Sequence, residues 1–167
     1  MNIRPINIED TKAFFKMMSL LDEETQFMMY EPGERERTTN EEELGERIKS
    51  AISTGDYLMI AEDNDKNIAG YIWAERGTMN RIRHTAYIII GIRESYQRQG
   101  IGTRFFKGLD EWAKNNGIIR LELTVECANE SAKHLYEKNG FVIEGRREKS
   151  MKINGELVDE FYMAKII

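Results

Sequence analysis

The chain has 167 residues, 41% hydrophobic and 32% charged, with a formal net charge of −5 at pH 7. That length fits a single domain, residues 1–167, able to bury a real core, and the balance excludes the disordered and fibrous classes. The acidic excess disfavours nucleic acid or an anionic membrane surface as partner, so any anion site has to be built locally.

The opening residues, MNIRPINIED, lack the apolar core of a secretory signal, and no apolar run reaches the length that spans a bilayer. Cys127 is the only cysteine, which rules out an intrachain disulfide and cysteine-based zinc sites. His84 and His134 add too little for a metal constellation. The expectation is a cytoplasmic protein with no metal.

In chain order, Ile3 to Ile6 reads as a first strand. Asn7 or Asp10 then caps a helix with Phe14, Met17, Met18 and Leu21 on one face. The stretch from Asp22 to Thr38 is acidic, holds Pro32 and Gly33, and reads mostly as loop. Thr39 and Glu42 have capping-box spacing ahead of Leu44, Ile48, Ala51 and Ile52 at helical intervals. The period then shortens. Tyr57 to Glu62 and Ile68 to Glu75 read as strands joined by a polar turn, and TAYIIIGI (Thr85 to Ile92) suits a central strand covered on both faces. Ile101, Phe105, Leu109 and Trp112 share a helical face that ends at Asn116-Gly117. Ile119 to Val125 is a further strand and Ser131 to Asn139 a short helix. A hairpin closes the chain: Phe141 to Ile153, the turn Asn154-Gly155, and Glu156 to Ile166. Asn-Gly between strand patterns is a strong hairpin signal, because both turn residues need positive φ.

The order βααβββαβαββ predicts an α+β fold, a mixed α/β three-layer arrangement of about seven strands with helices on both faces. Strand, helix, strand over residues 85–125 is a parallel crossover, with a glycine-rich turn at the carboxyl end of its first strand, where open sheets bind ligands. That turn reads QRQGIGTRFF from Gln97. Without side chains at Gly100 and Gly102, the amides of Arg98 to Thr103 are free to meet a diphosphate at a helix amino terminus. Arg93, Arg98 and Arg104 add positive charge. A P-loop is excluded because Gly102 is followed by Thr103-Arg104, and a dinucleotide fingerprint because Phe105 stands where a small residue is needed.

Gln97 to Gly102 resembles the Gln/Arg-x-x-Gly-x-Gly/Ala motif of the GNAT family of N-acetyltransferases, and Asn129 to Phe141 (NESAKHLYEKNGF) is similar to that family's Asn-x-x-Ala-x-x-Leu-Tyr-x-Lys-x-Gly-Phe segment. The element order agrees throughout the chain. The resemblance implies that Arg98, Gln99, Gly100, Ile101, Gly102 and Thr103 hold the pyrophosphate of acetyl-CoA. It also implies that the backbone of Ile90, Gly91 and Ile92 pairs with the pantetheine arm between splayed strands, and that Asn129 and Ala132 contact the cofactor. Tyr136, also against the cofactor, matches the family's general acid, and a central-strand N–H would meet the oxyanion.

Many relatives carry a glutamate on the central strand, and TAYIIIGI has none. Glu126 and Glu31 are the candidate bases, with water relayed through either. Cys127 raises an acyl-cysteine route, against the family habit of direct attack. Asp22, Glu23, Glu24, Glu31 and Glu34, lying among Phe27, Met28, Met29 and Tyr30, suggest a receptor for a cationic or neutral primary amine: a small molecule, a polyamine, an amino acid or a peptide amino terminus. The expected partners are therefore acetyl-CoA and an amine acceptor, with neither nucleic acid nor membrane, and a homodimer is left open. The competing reading is a non-catalytic acyl-CoA-binding regulatory module of the same fold.

Overall fold

The computed structural model describes residues 1–167 throughout. Seven strands build one mixed sheet: β1 (Asn2–Pro5), β2 (Tyr57–Glu62), β3 (Ile68–Arg76), β4 (Thr85–Ile92), β5 (Arg120–Glu126), β6 (Val142–Ile153) and β7 (Glu156–Ile166). Their order across the sheet is β1-β2-β3-β4-β5-β7-β6, and every neighbouring pair is antiparallel except β4 with β5. Five helices accompany them: α1 (Thr11–Glu24), α2 (Glu34–Thr38), α3 (Glu41–Thr54), α4 (Ile101–Asn115) and α5 (Glu130–Lys138). The expected α+β architecture of about seven strands is the one observed.

Side-chain alternation sorts the sheet residues between two cores. On one face Phe14, Met17 and Leu21 of α1 and Leu44 and Ile48 of α3 pack on Leu58, Ile60, Tyr71 and Trp73. On the other, Phe105, Phe106 and Leu109 of α4 pack on Ile72, Ile88, Leu121 and Leu123, with Tyr136 of α5 beside them. Covered on both faces, β2 and β3 are buried almost end to end, which is why they read as apolar runs. Phe106 is fully buried and meets Tyr136 and Phe141 at centroid separations of 5.8 and 5.5 Å. Each such aromatic contributes about 1.5–3 kcal/mol by burial. The Asn154-Gly155 turn has φ of +50° and +86°, as the hairpin requires.

Two local expectations are corrected. The acidic stretch that reads mostly as loop also contains α2, a short helix with no apolar stripe of its own. The cap of α3 is Asn40 rather than Thr39: Asn40 Oδ1 accepts from the Glu43 N–H at 2.9 Å, while the Thr39 hydroxyl donates back to the Arg35 carbonyl. Either residue satisfies the sequence preference for an N-cap, and the turn after α2 decides between them.

Candidate active site

The parallel pair at mid-sheet is short. β4 and β5 are in register only at Thr85 with Arg120, Ala86 with Leu121 and Tyr87 with Glu122. Beyond that point Ile88 to Ile92 pair with β3 alone, and Leu123 to Glu126 with β7 alone. Their facing edges therefore leave main-chain groups unpaired along a cleft of about 840 Å³. Gly91 lies on its floor. A Cβ there would stand 2.4 Å from Leu21 Cδ2 and 3.1 Å from a Tyr71 ring carbon, so α1 packs directly on the β4 backbone.

At the open end of the cleft, Gly100 caps α4 with φ of +77° and no side-chain cap. The first turn's N–H groups, on Ile101, Gly102 and Thr103, precede the first helical acceptor and have no intrahelical partner. A Cβ on Gly100 would meet nothing within 4 Å, so glycine is required there by the left-handed backbone and not by crowding. Gly102 differs: its Cβ would approach Leu135 Cδ2 to 2.8 Å, so this glycine also lets α4 and α5 meet. Arg98, Gly100, Ile101, Gly102 and Thr103 line the cleft, as do Ile90, Gly91 and Ile92. Gln99 does not, and its side-chain amide donates to the Ser95 carbonyl. Tyr96 braces the loop by donating its hydroxyl to Asp63 at 2.7 Å, which holds the Asp63 carboxyl down at about 2. Of the three arginines read as local positive charge, Arg93 is taken up by Glu24 and Arg104 reaches the Met1 carbonyl, leaving Arg98 as the cation at the loop.

The walls carry the titratable groups. Tyr136 is 7% exposed and lines the cleft, and its hydroxyl makes no hydrogen bond within the protein; burial pushes its phenol well up, so it stays protonated across the working range. Asn129 caps α5, its Oδ1 accepting from the Ala132 N–H at 3.1 Å, and both residues line the cleft with the Asn129 side-chain N–H₂ left free. Glu126 also lines the cleft, while Glu31 sits on the exposed turn before α2, outside the wall. Glu126 is 7% exposed, and its Oε2 is sealed from solvent with no partner. Directly across the ladder stands Glu160, 5% exposed, accepting from Arg147 at 3.0 Å. Desolvation, then the like charge of Glu160, pushes the Glu126 carboxyl above its ordinary value. Sequence reading missed Glu160, although a glutamate in mid-strand near a candidate base was visible once β5 and β7 were paired. Cys127 lies outside the cleft wall, and burial raises its thiol, so nothing favours a thiolate there.

The acidic receptor read from Asp22 to Glu34 is not present as such. Asp22 is 1% exposed and ion-paired with Arg35, at 2.5 Å to Nε and 3.0 Å to Nη2. Glu24 lines the cleft with both oxygens occupied, one by the Arg93 guanidinium and one by the Glu94 N–H. Glu23, Glu31 and Glu34 lie off the wall. Phe27, Met28, Met29 and Tyr30 do line it, so the apolar half of that expectation stands.

An open central strand pair, a glycine-capped helix terminus at its mouth and a buried tyrosine at its side agree with what the acetyltransferase (GNAT) family profile finds, which matches residues 16–141. The chain belongs to that family. A GNAT-family acetyltransferase structure from Streptococcus pneumoniae superposes with a TM-score of 0.91 at 30% identity, covering 99% of this chain and 98% of that one. A phosphinothricin acetyltransferase of the same superfamily from Sinorhizobium meliloti, solved in complex with acetyl-CoA, shares the fold at a TM-score of 0.86 and 18% identity, over 99% and 88% of the two chains. Among curated relatives, an L-amino acid N-acetyltransferase from Escherichia coli is 30% identical over 106 residues, 61% of this chain and 64% of its own length. The chain spans less than two-thirds of the curated GNAT relatives it matches first, down to half and below.

Proposed function

We propose that this GNAT-family protein is an N-acetyltransferase that moves an acetyl group from acetyl-CoA to a primary amine by direct attack. The observation that carries this reading is the β4 edge along Ile88 to Ile92, paired with β3 on one side and without a partner strand on the β5 side, opening toward a glycine-turned helix terminus that has no side-chain cap. An extended amide-bearing arm ending in a diphosphate satisfies both features together. The bound acetyl-CoA in the Sinorhizobium meliloti relative supports the same ligand here. The residues fit it: the φ of +77° at Gly100 turns the loop, the unpaired N–H groups of Ile101 to Thr103 would hold the diphosphate, and the free N–H₂ of Asn129 would serve the arm.

Acetyl-CoA supplies an activated acyl group. The chain's own residues then orient it and move protons. Glu126 takes a proton from the incoming ammonium, directly or through one water, and frees the nitrogen lone pair. Its raised carboxyl pKa makes it a better base than an ordinary glutamate, since base strength rises with pKa. As the nitrogen–carbon bond forms, a β4 N–H near Ile90 accommodates the oxyanion. Collapse breaks the carbon–sulfur bond, Tyr136 donates its proton to the departing sulfur, and the nitrogen, which carries a positive charge after attack, loses its second proton to solvent to leave the neutral amide. Buried beside Phe106, the phenol shares a low-dielectric site in which a thiolate is also costly, so its proton moves as the sulfur charge develops. Glu126 gives up its proton to solvent and Tyr136 regains one, closing the cycle.

The test is thiol release from acetyl-CoA across a panel of amines. Amine-dependent release supports acetyl transfer. A thermal shift with acetyl-CoA but no release with any amine would favour the non-catalytic acyl-CoA-binding module.

A further inference from the structure

Apart from Glu24, Glu94 and Arg98 by the glycine-rich loop, the charges that line the cleft are segregated. On the β5 and β7 side stand two carboxylates, Glu126 and Glu160. On the side built by α2, α3 and β3 stand two guanidiniums, Arg35 and Arg47. Each arginine has a carboxylate partner, yet neither partner lines the cleft: Asp22 is sealed beneath Arg35, and Glu75 takes only Nη2 of Arg47 at 3.1 Å. Arg35, nine-tenths buried at its side chain, commits Nε and Nη2 to Asp22 and leaves Nη1 without a hydrogen-bond acceptor, its guanidinium stacked 4.4 Å over Tyr30. Arg47 lies 4.8 Å over Trp73 with Nε and Nη1 free. Burial, stacking and ion pairing fix the Arg35 fork in place, so holding an anion there costs little further side-chain entropy, while Arg47 is oriented by its stacking on Trp73. The apolar residues of the core on this face that line the cleft wall include Met18, Leu21, Met28, Leu44, Tyr71 and Trp73.

We propose that the acceptor amine is an amino acid with an apolar side chain, its carboxylate held by Arg35 and Arg47 and its side chain by this wall. The proposal rests on the acetyl-transfer reading and names the acceptor class for the same site. A polyamine would bring further positive charge toward two guanidiniums, and a carboxylate-free amine would leave their donors unpaired. A zwitterion places its ammonium toward Glu126 and its carboxylate toward the arginines, matching the charge separation of the walls.

Matched acceptors test this by steady-state thiol release: L-methionine, its decarboxylated analogue methylthiopropylamine, a short peptide beginning with methionine, and spermidine. Methionine is expected to exceed the decarboxylated analogue by about tenfold or more in kcat/KM, mainly through KM, the scale of a lost hydrogen bond to a charged group. Arg47→Gln, at an exposed ion pair, is expected to raise the KM for methionine and narrow its preference over the analogue. Arg35→Lys, which keeps a charge for Asp22 but loses the free fork, is expected to do the same, with the acetyl-CoA thermal shift reporting that the fold is kept. Equal or better use of methylthiopropylamine, spermidine or the peptide overturns the amino-acid assignment while leaving acetyl transfer standing. So does an unchanged KM for methionine in both variants. No thiol release with any amine overturns the acetyl-transfer reading and this assignment together.

Discussion

Glu126→Gln separates catalysis from stability, because the two are expected to move in opposite directions. Glu126 is 7% exposed, has one oxygen without a partner, and faces Glu160 across the β5–β7 ladder. Its carboxyl pKa is raised by desolvation and by that neighbour. For an acid whose folded pKa lies above its unfolded one, the native state holds the proton more tightly. Stability therefore falls as pH climbs from the unfolded value, about 4.3, through the folded one, and stays reduced above it. Glutamine keeps the shape, removes the charge and offers Glu160 an N–H donor. Removing one poorly paired buried charge is worth about 1 kcal/mol at neutral pH, or a rise in Tm of about 2–4 °C for a domain of this size. Near the unfolded carboxyl pKa the gain should shrink toward zero, because wild-type Glu126 is then protonated as well. The base assignment asks for the reverse in turnover, a fall of about a hundredfold, and for loss of the acidic limb of the pH–rate profile. Thermal melts at acidic and neutral pH, paired with thiol-release kinetics, read both. A Tm that falls at neutral pH would refute the account of an uncompensated carboxylate, and wild-type turnover would refute Glu126 as the base.

Tyr136→Phe should lower kcat by about tenfold or more with the acetyl-CoA thermal shift intact, and unchanged turnover would remove the tyrosine from the acid role. Gly100→Val should cost only about 1–2 kcal/mol of folding stability, since the left-handed φ of +77° is penalised while the space around it is empty, yet it should sharply reduce the acetyl-CoA thermal shift. Asp22→Ala leaves the Arg35 guanidinium buried without its partner and is expected to cost about 3–5 kcal/mol in a denaturant melt. A loss below about 1 kcal/mol would mark the pair as solvent-screened.

The strands were legible because their chemistry is local: period-two burial, an apolar central run and an Asn-Gly turn are written within a few residues each. The glycine loop and Tyr136 were legible by motif. Asp22 was not, because its meaning depends on Arg35 thirteen positions on, and no periodicity announces that a carboxylate in an acidic run is sealed inside. Helix α2 escaped for a related reason: ERERT carries no apolar stripe, and the helix is held by the burial of Arg35. Glu160 lacked meaning until β7 was paired in register with β5, which sets two glutamates opposite one another. The expectation of an acidic receptor failed through these omissions. Counting acids in a segment measures composition, whereas a ligand meets only the groups on the wall.

The brevity of the β4–β5 contact has a mechanical consequence. Three residue pairs at one end join the half-sheet β1–β4 to the half-sheet β5–β7–β6, the fewest ladder pairs between any two neighbouring strands of the sheet. On one face α4 bridges the two halves, packing on Ile72 and Ile88 of one and on Leu121 and Leu123 of the other, so the seam is held there by side chains rather than by ladder hydrogen bonds. A ligand wedged along Ile88 to Ile92 converts that seam into a continuous ladder. Amide hydrogens that exchange quickly on this stretch should then slow together, a change that hydrogen exchange with and without acetyl-CoA reads directly.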